Sequence, residues 1–110
     1  MNPTLKKEIV KTFFQTLTDL KDQCKLEIFI RDFLTEEEMN QLTKRLAIIY
    51  WLRKKRDEEN IAENLKVTKK EITEAIKLME KDGIKAAIKN LEAEEWANVW
   101  AEKIKKFTKK

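Results

Sequence analysis

The sequence predicts an all-α fold, and three observations carry that prediction. Gly83 and Pro3 are the only glycine and proline in 110 residues, so almost nothing interrupts a helix. Lys, Glu, Leu, Ile and Ala dominate the composition. Apolar residues recur at i, i+3, i+4 and i+7 through most of the chain. A hydrophobic content of 42% is too high for a disordered chain, even with 40% charged residues. The length suits one compact domain over residues 1–110.

The first helix is expected over residues 4–21, with Thr4 as its cap. Leu5, Ile9, Val10, Phe13, Phe14, Leu17 and Leu20 cover a wider arc than a one-sided surface helix needs, so the helix should be covered on two sides. A partner subunit is the simplest second cover. Residues 22–33 form a second helix with Leu26, Ile28, Phe29, Ile30 and Phe33 on its apolar side, and Cys24 reads as a small buried hydrophobe. Thr35 and Glu38 have capping-box spacing and open a third helix running to about Lys54. Glu36, Glu37 and Glu38 complement the positive end of its dipole. Ala47 to Leu52 leave almost no polar face, which marks this helix as central.

Arg53, Lys54, Lys55 and Arg56 end it. They complement the helix dipole and equally form a phosphate clamp, and the two roles are compatible. Asp57 caps a fourth helix over 58–65, and Lys66-Val67 make a tight turn. Thr68 and Glu71 form a second capping box, which starts a fifth helix. Ile72, Ala75, Ile76 and Met79 are spaced to face inward, with Lys70, Glu74, Lys77 and Lys81 opposite and Lys69 and Thr73 on the flanks. Asp82-Gly83 is expected to end that helix, with Gly83 in the left-handed cap conformation. Residues 84–107 are helical again, with a break expected near Asn90. Ile84, Ala87, Ile88 and Leu91 form one stripe; Trp96, Val99, Trp100, Ile104 and Phe107 form another that docks a terminal helix. Lys105, Lys106, Lys109 and Lys110 read as a solvated basic tail. The organisation is thus core or dimerisation helices over 1–56, a helix-turn-helix over 57–81 and C-terminal helices over 84–107.

Charge is distributed unevenly around a formal net of +4. Residues 57–79 carry four lysines against six carboxylates, while the four cations of Arg53–Arg56 sit just before them. A strong non-specific phosphate binder would be more basic than this. With no histidine, one cysteine and one glycine, the chain has no imidazole acid–base pair, no zinc set and no phosphate-cradling glycine loop. An enzyme is not expected, nor a metal or cofactor. One cysteine excludes an intrachain disulfide. Lys6, Lys7, Glu8 and Lys11 stand where a secretory signal needs apolar residues, and no apolar run is long enough for a membrane span. A soluble, cytoplasmic protein is expected.

Three stretches then carry a family likeness. KDQCKLEIFIRDFLTEEEMNQLTKRL (residues 21–46), the apolar spine after Arg45, and IAENLKVTKKEIT (residues 61–73) stand in an order and spacing that resembles the Trp repressor superfamily. The closest likeness is to its short Trp-repressor-like proteins of the YerC/YecD type. The resemblance implies an all-helical, interlaced homodimer that binds double-stranded DNA through its helix-turn-helix. In that family two arginines hold bound tryptophan. Arg45 matches the first, Glu74 stands at the second, and Thr35 matches a further position of the effector pocket. A carboxylate facing the ligand's own carboxylate repels it, so tryptophan sensing is expected to be absent and any other small-molecule effector is undefined.

The expected function is a sequence-specific DNA-binding transcriptional regulator, repressor-like and dimeric. Lys69, Lys70, Thr73, Glu74 and Lys77 would meet bases or neighbouring phosphates, and Arg53, Lys54, Lys55, Lys66 and Thr68 would hold the backbone. The alternative is a helical protein-interaction or structural module that keeps the helix-turn-helix as scaffold, as the motif's excess of carboxylates would suit. RNA binding through the basic flanks is a third, weaker reading.

Overall fold

The computed structural model describes residues 1–93, and every regular element among them is an α-helix. They are α1 (Pro3–Asp19), α2 (Gln23–Phe33), α3 (Glu36–Arg53), α4 (Glu58–Leu65), α5 (Lys69–Leu78) and α6 (Asp82–Ala93). The chain divides into two compact units, one over Met1–Met39 and one from Asn40 onward. The expected stripe from Trp96 to Phe107 and the basic tail lie outside the described residues.

In the first unit, Asn2 caps α1. Its side-chain oxygen accepts the Thr4 and Leu5 N–H groups at 2.8 and 3.3 Å, which places Pro3 at the first helical position. Thr4 is therefore inside the helix and not its cap. Asn2 can accept first-turn N–H groups, and Pro3 loses nothing where an N–H would be unpaired anyway. Asp22 caps α2 by accepting the Cys24 N–H at 3.0 Å. Cys24 is exposed, against expectation, because it stands in that polar first turn. Phe29 and Phe33 stack at 5.2 Å, and Phe33 meets Phe13 at 5.9 Å, joining α2 to α1. No residue of α1 or α2 is buried. Leu5, Ile9, Val10, Phe14, Ile28 and Phe33 stand open, Phe14 at 60% exposure. Thr35 and Glu38 form the expected capping box at the start of α3, with reciprocal bonds of 2.9 and 3.1 Å.

The second unit holds the core. Ala47, Ile48, Ile49, Tyr50 and Trp51 are buried in succession on α3, more than a full turn, so this part of α3 is covered all round as its composition predicted. Around it pack Ile61 of α4, Val67 of the turn, Ile72 and Ala75 of α5, and Ile88 and Leu91 of α6. Ile48, Ile61 and Ile72 are almost wholly removed from solvent. Each contributes about 1.5–3 kcal/mol through apolar burial.

Three expectations in this unit need correction. The fifth helix ends at Leu78, and Met79 closes it in a right-handed conformation with its N–H donating to the Ile76 carbonyl. No left-handed glycine is needed, and Gly83 lies in the first turn of α6. The α6 helix also runs through Asn90 without a break, because Ile88 and Leu91 anchor both sides of it. Ile76 is 42% exposed and does not face inward. The buried stripe of α5 centres on Ile72 and Ala75, and Ile76 falls at its margin.

Candidate nucleic-acid interface

The helix-turn-helix is built by two caps and one buried turn. Asp57 caps α4, its carboxylate accepting the Glu59 N–H at 3.3 Å. At the other end Lys66 adopts φ 57° and ψ 49°, the left-handed conformation. The Val67 N–H then donates to the Ala62 carbonyl at 3.2 Å, and Val67 drops into the core. This is the closure that glycine usually serves, made here by a lysine. Thr68 immediately caps α5. Its hydroxyl accepts the Glu71 N–H at 3.1 Å, and Glu71 receives the Thr68 N–H at 3.0 Å. The turn is thus fixed at both ends, and α5 leaves it at a set angle with Ile72 and Ala75 against the core.

What α5 turns to solvent is set by that burial. Lys69, Lys70, Thr73, Glu74 and Lys77 are all exposed. With residues about 100° apart around the axis, Lys70 and Lys77 lie opposite Ile72 and Ala75, with Thr73 and Glu74 about equally far to either side. Lys69 lies further round beyond Thr73, next to the exposed Ile76. The Thr73 hydroxyl donates to the Lys69 carbonyl at 2.9 Å, so only its lone pairs and its methyl are free for a partner. Thr68 is exposed but its hydroxyl serves the cap, accepting from Glu71 N–H and donating to the Glu71 carboxylate at 3.2 Å. Its use for phosphate would compete with the cap.

The basic turn after α3 has a similar closure. Lys55 has φ 60°; its N–H donates to the Leu52 carbonyl, and the Arg56 N–H donates to the Trp51 carbonyl at 3.1 Å. A left-handed residue here sends the next one back along the helix. The Arg56 guanidinium accordingly sits 5.7 Å from the centre of the Trp51 ring, a cation–π contact. Lys54 lies over the Tyr50 ring at 5.4 Å. Arg53 and Lys54 also reach Glu92 of α6, at 3.5 and 3.8 Å. The four cations are therefore unequal: two share a carboxylate, one stacks on an indole, and Lys55 projects from a left-handed turn. Local sequence could not have shown Glu92 as their partner, because nothing in the α6 pattern points to a helix so far back in the chain.

Arg45 and Glu74 meet across a cleft of about 610 Å³ between α3 and α5. Gln41, Lys70 and Glu71 also line it, over a floor of Ile48, Ala75 and Leu78. No ion pair joins Arg45 to Glu74 among the described residues. Thr35 belongs to the first unit, where its hydroxyl accepts the Glu38 N–H. No group of three or more His, Cys, Asp or Glu side chains among the described residues is placed to hold a metal. None of the described helices is long and apolar enough to cross a membrane.

A chain whose described regular elements are all helices, and whose second unit presents a doubly capped helix-turn-helix, falls among helix-turn-helix proteins by architecture. A family model described as Trp repressor protein matches residues 8–93, most of the chain, and the chain belongs to that family. No curated protein and no solved structure matches it.

Proposed function

We propose that this protein is a cytoplasmic, sequence-specific DNA-binding regulator of the YerC/YecD type that works as a homodimer and does not respond to tryptophan. Its family supports DNA-binding regulation in general. The observation that carries the finer reading is the open face of α5: Lys70, Thr73 and Lys77 stand in solvent on a helix whose start is fixed by a capping box and whose back is fixed by Ile72 and Ala75. Such a helix can enter a major groove without reshaping itself. Lysines reach guanine acceptors, Glu74 can accept from a cytosine amino group, and the Thr73 methyl suits thymine. Lys55 and Lys66 project from the two turns that bracket α4, in reach of flanking phosphates. Double-stranded DNA selected from a randomised pool tests this reading. A selected duplex should bind far more tightly than random duplex, and its affinity should fall steeply with salt.

The homodimer rests on α1 and α2. Their open Leu5, Ile9, Val10, Phe14, Ile28 and Phe33 make an apolar surface that stands exposed among the described residues. Covering the half of each that is still open is worth about 1 kcal/mol apiece. The same surface favours the second reading, a protein-interaction module that keeps its helix-turn-helix as scaffold; such a module would enrich no duplex.

The cleft between Arg45 and Glu74 has one cation and one anion on facing walls, with Lys70 and Glu71 beside them. A ligand carboxylate that approaches Arg45 there also meets Glu74. Calorimetric titration with tryptophan should give no saturable heat; a stoichiometric isotherm would overturn the claim of insensitivity.

A further inference from the structure

We propose that Glu92 is an internal competitor for DNA phosphate, an autoinhibitory contact built into α6. This inference rests on the DNA-binding reading of the helix-turn-helix. Glu92 places one carboxylate oxygen 3.5 Å from Arg53 Nε and the other 3.8 Å from Lys54 Nζ. One carboxylate thus bridges two of the four cations that precede the motif. It is the geometry a backbone phosphate would take on the same pair, with two oxygens spanning two donors. Ile88 and Leu91 hold that part of α6 against the core, so Glu92 is carried to the cations by a packed helix and not by a free chain.

The contact is weak enough to be displaced. Arg53 and Lys54 are 54% and 43% exposed, and Glu92 is 34% exposed, so water screens both pairs. A phosphate must expel Glu92 or share the cations with it, and while Glu92 stays the patch offers one net charge fewer. Together with the six carboxylates of residues 57–79, this keeps affinity for arbitrary duplex low. Only a site that adds base contacts from α5 would have the affinity to open it.

The test compares the full-length protein with Glu92→Gln, which keeps the side chain's shape and removes its charge. Binding to the selected duplex and to random duplex is measured across a salt series, in the native background and with Arg53→Ala and Lys54→Ala together. The variant should bind about three- to tenfold more tightly at low salt, the size expected when two exposed ion pairs no longer compete. The slope of log K against log salt should steepen by about one phosphate contact. In the Arg53→Ala, Lys54→Ala background the gain should vanish. A Glu92→Gln protein that binds no more tightly overturns the proposal, and so does a gain that persists without the two cations, which would be a general charge effect. Failure of the underlying reading looks different: neither protein enriches any duplex, and the proposal falls with it. A stapling role alone would lower the melting temperature of Glu92→Gln and leave its affinity for DNA unchanged or reduced.

Discussion

Lys66 holds a conformation that L residues avoid, with φ 57° at the centre of the helix-turn-helix. The left-handed region costs a non-glycine residue about 1–2 kcal/mol. A turn selected for stability alone would carry glycine there, and Lys55 at φ 60° repeats the choice at the other end of α4. Under the proposed DNA-binding function, both positions would set a cation toward phosphate in exchange for backbone strain. Lys66→Gly should therefore raise stability by roughly 0.5–1 kcal/mol in denaturant unfolding while weakening binding to the selected duplex. A variant that loses stability, or that keeps full affinity, would contradict this account of the turn. The turn at Lys66 was readable in the sequence because Lys66-Val67 stand between two helical stretches; its left-handed backbone is shown by the structure. The turn at Lys55 was not: RKKR reads as a continuous cationic last turn, and only the backbone shows that the helix has already closed at Arg53.

Among the helices, starts were more legible than ends. Thr35 with Glu38, Asp57, and Thr68 with Glu71 each announce a helix by side chains that accept first-turn N–H groups, and each does so in the structure. Helix ends depend on backbone closures that several residue types can make. Met79 ends α5 without glycine, and Gly83, which looked like the stop, sits in α6 where an added Cβ would meet nothing within 4 Å. The exposed face of α5 was legible from spacing, except that Ile76 lies open at its edge. Replacing Lys70 and Lys77 with alanine should weaken binding to the selected duplex by about 1–3 kcal/mol for each lost base contact and leave the oligomeric state unchanged. Unchanged affinity would count against this face as the reader. The pairing of Arg53 and Lys54 with Glu92 lay beyond sequence reading, because it depends on how α6 packs and not on any local pattern.

Taken whole, the chain puts a closed core and an open apolar surface in different stretches. The core of the second unit runs from Ile48 to Leu91, while α1 and α2 bury no residue at all. The wide arc of α1 was plain in the sequence, but the sequence could not show how much of it one chain covers. Light scattering at micromolar concentration should give twice the 13.2 kDa chain mass, and Phe14→Glu should shift the population toward monomer. A wild-type protein that scatters as a stable monomer would defeat the dimer. The central claim, that the face of α5 reads DNA, is tested most directly by enrichment of bound duplexes from a randomised pool. The account predicts one recurrent sequence, bound on the order of a thousandfold or more tighter than random duplex at physiological salt. A pool that shows no enrichment, together with negligible duplex binding at low salt, would contradict it.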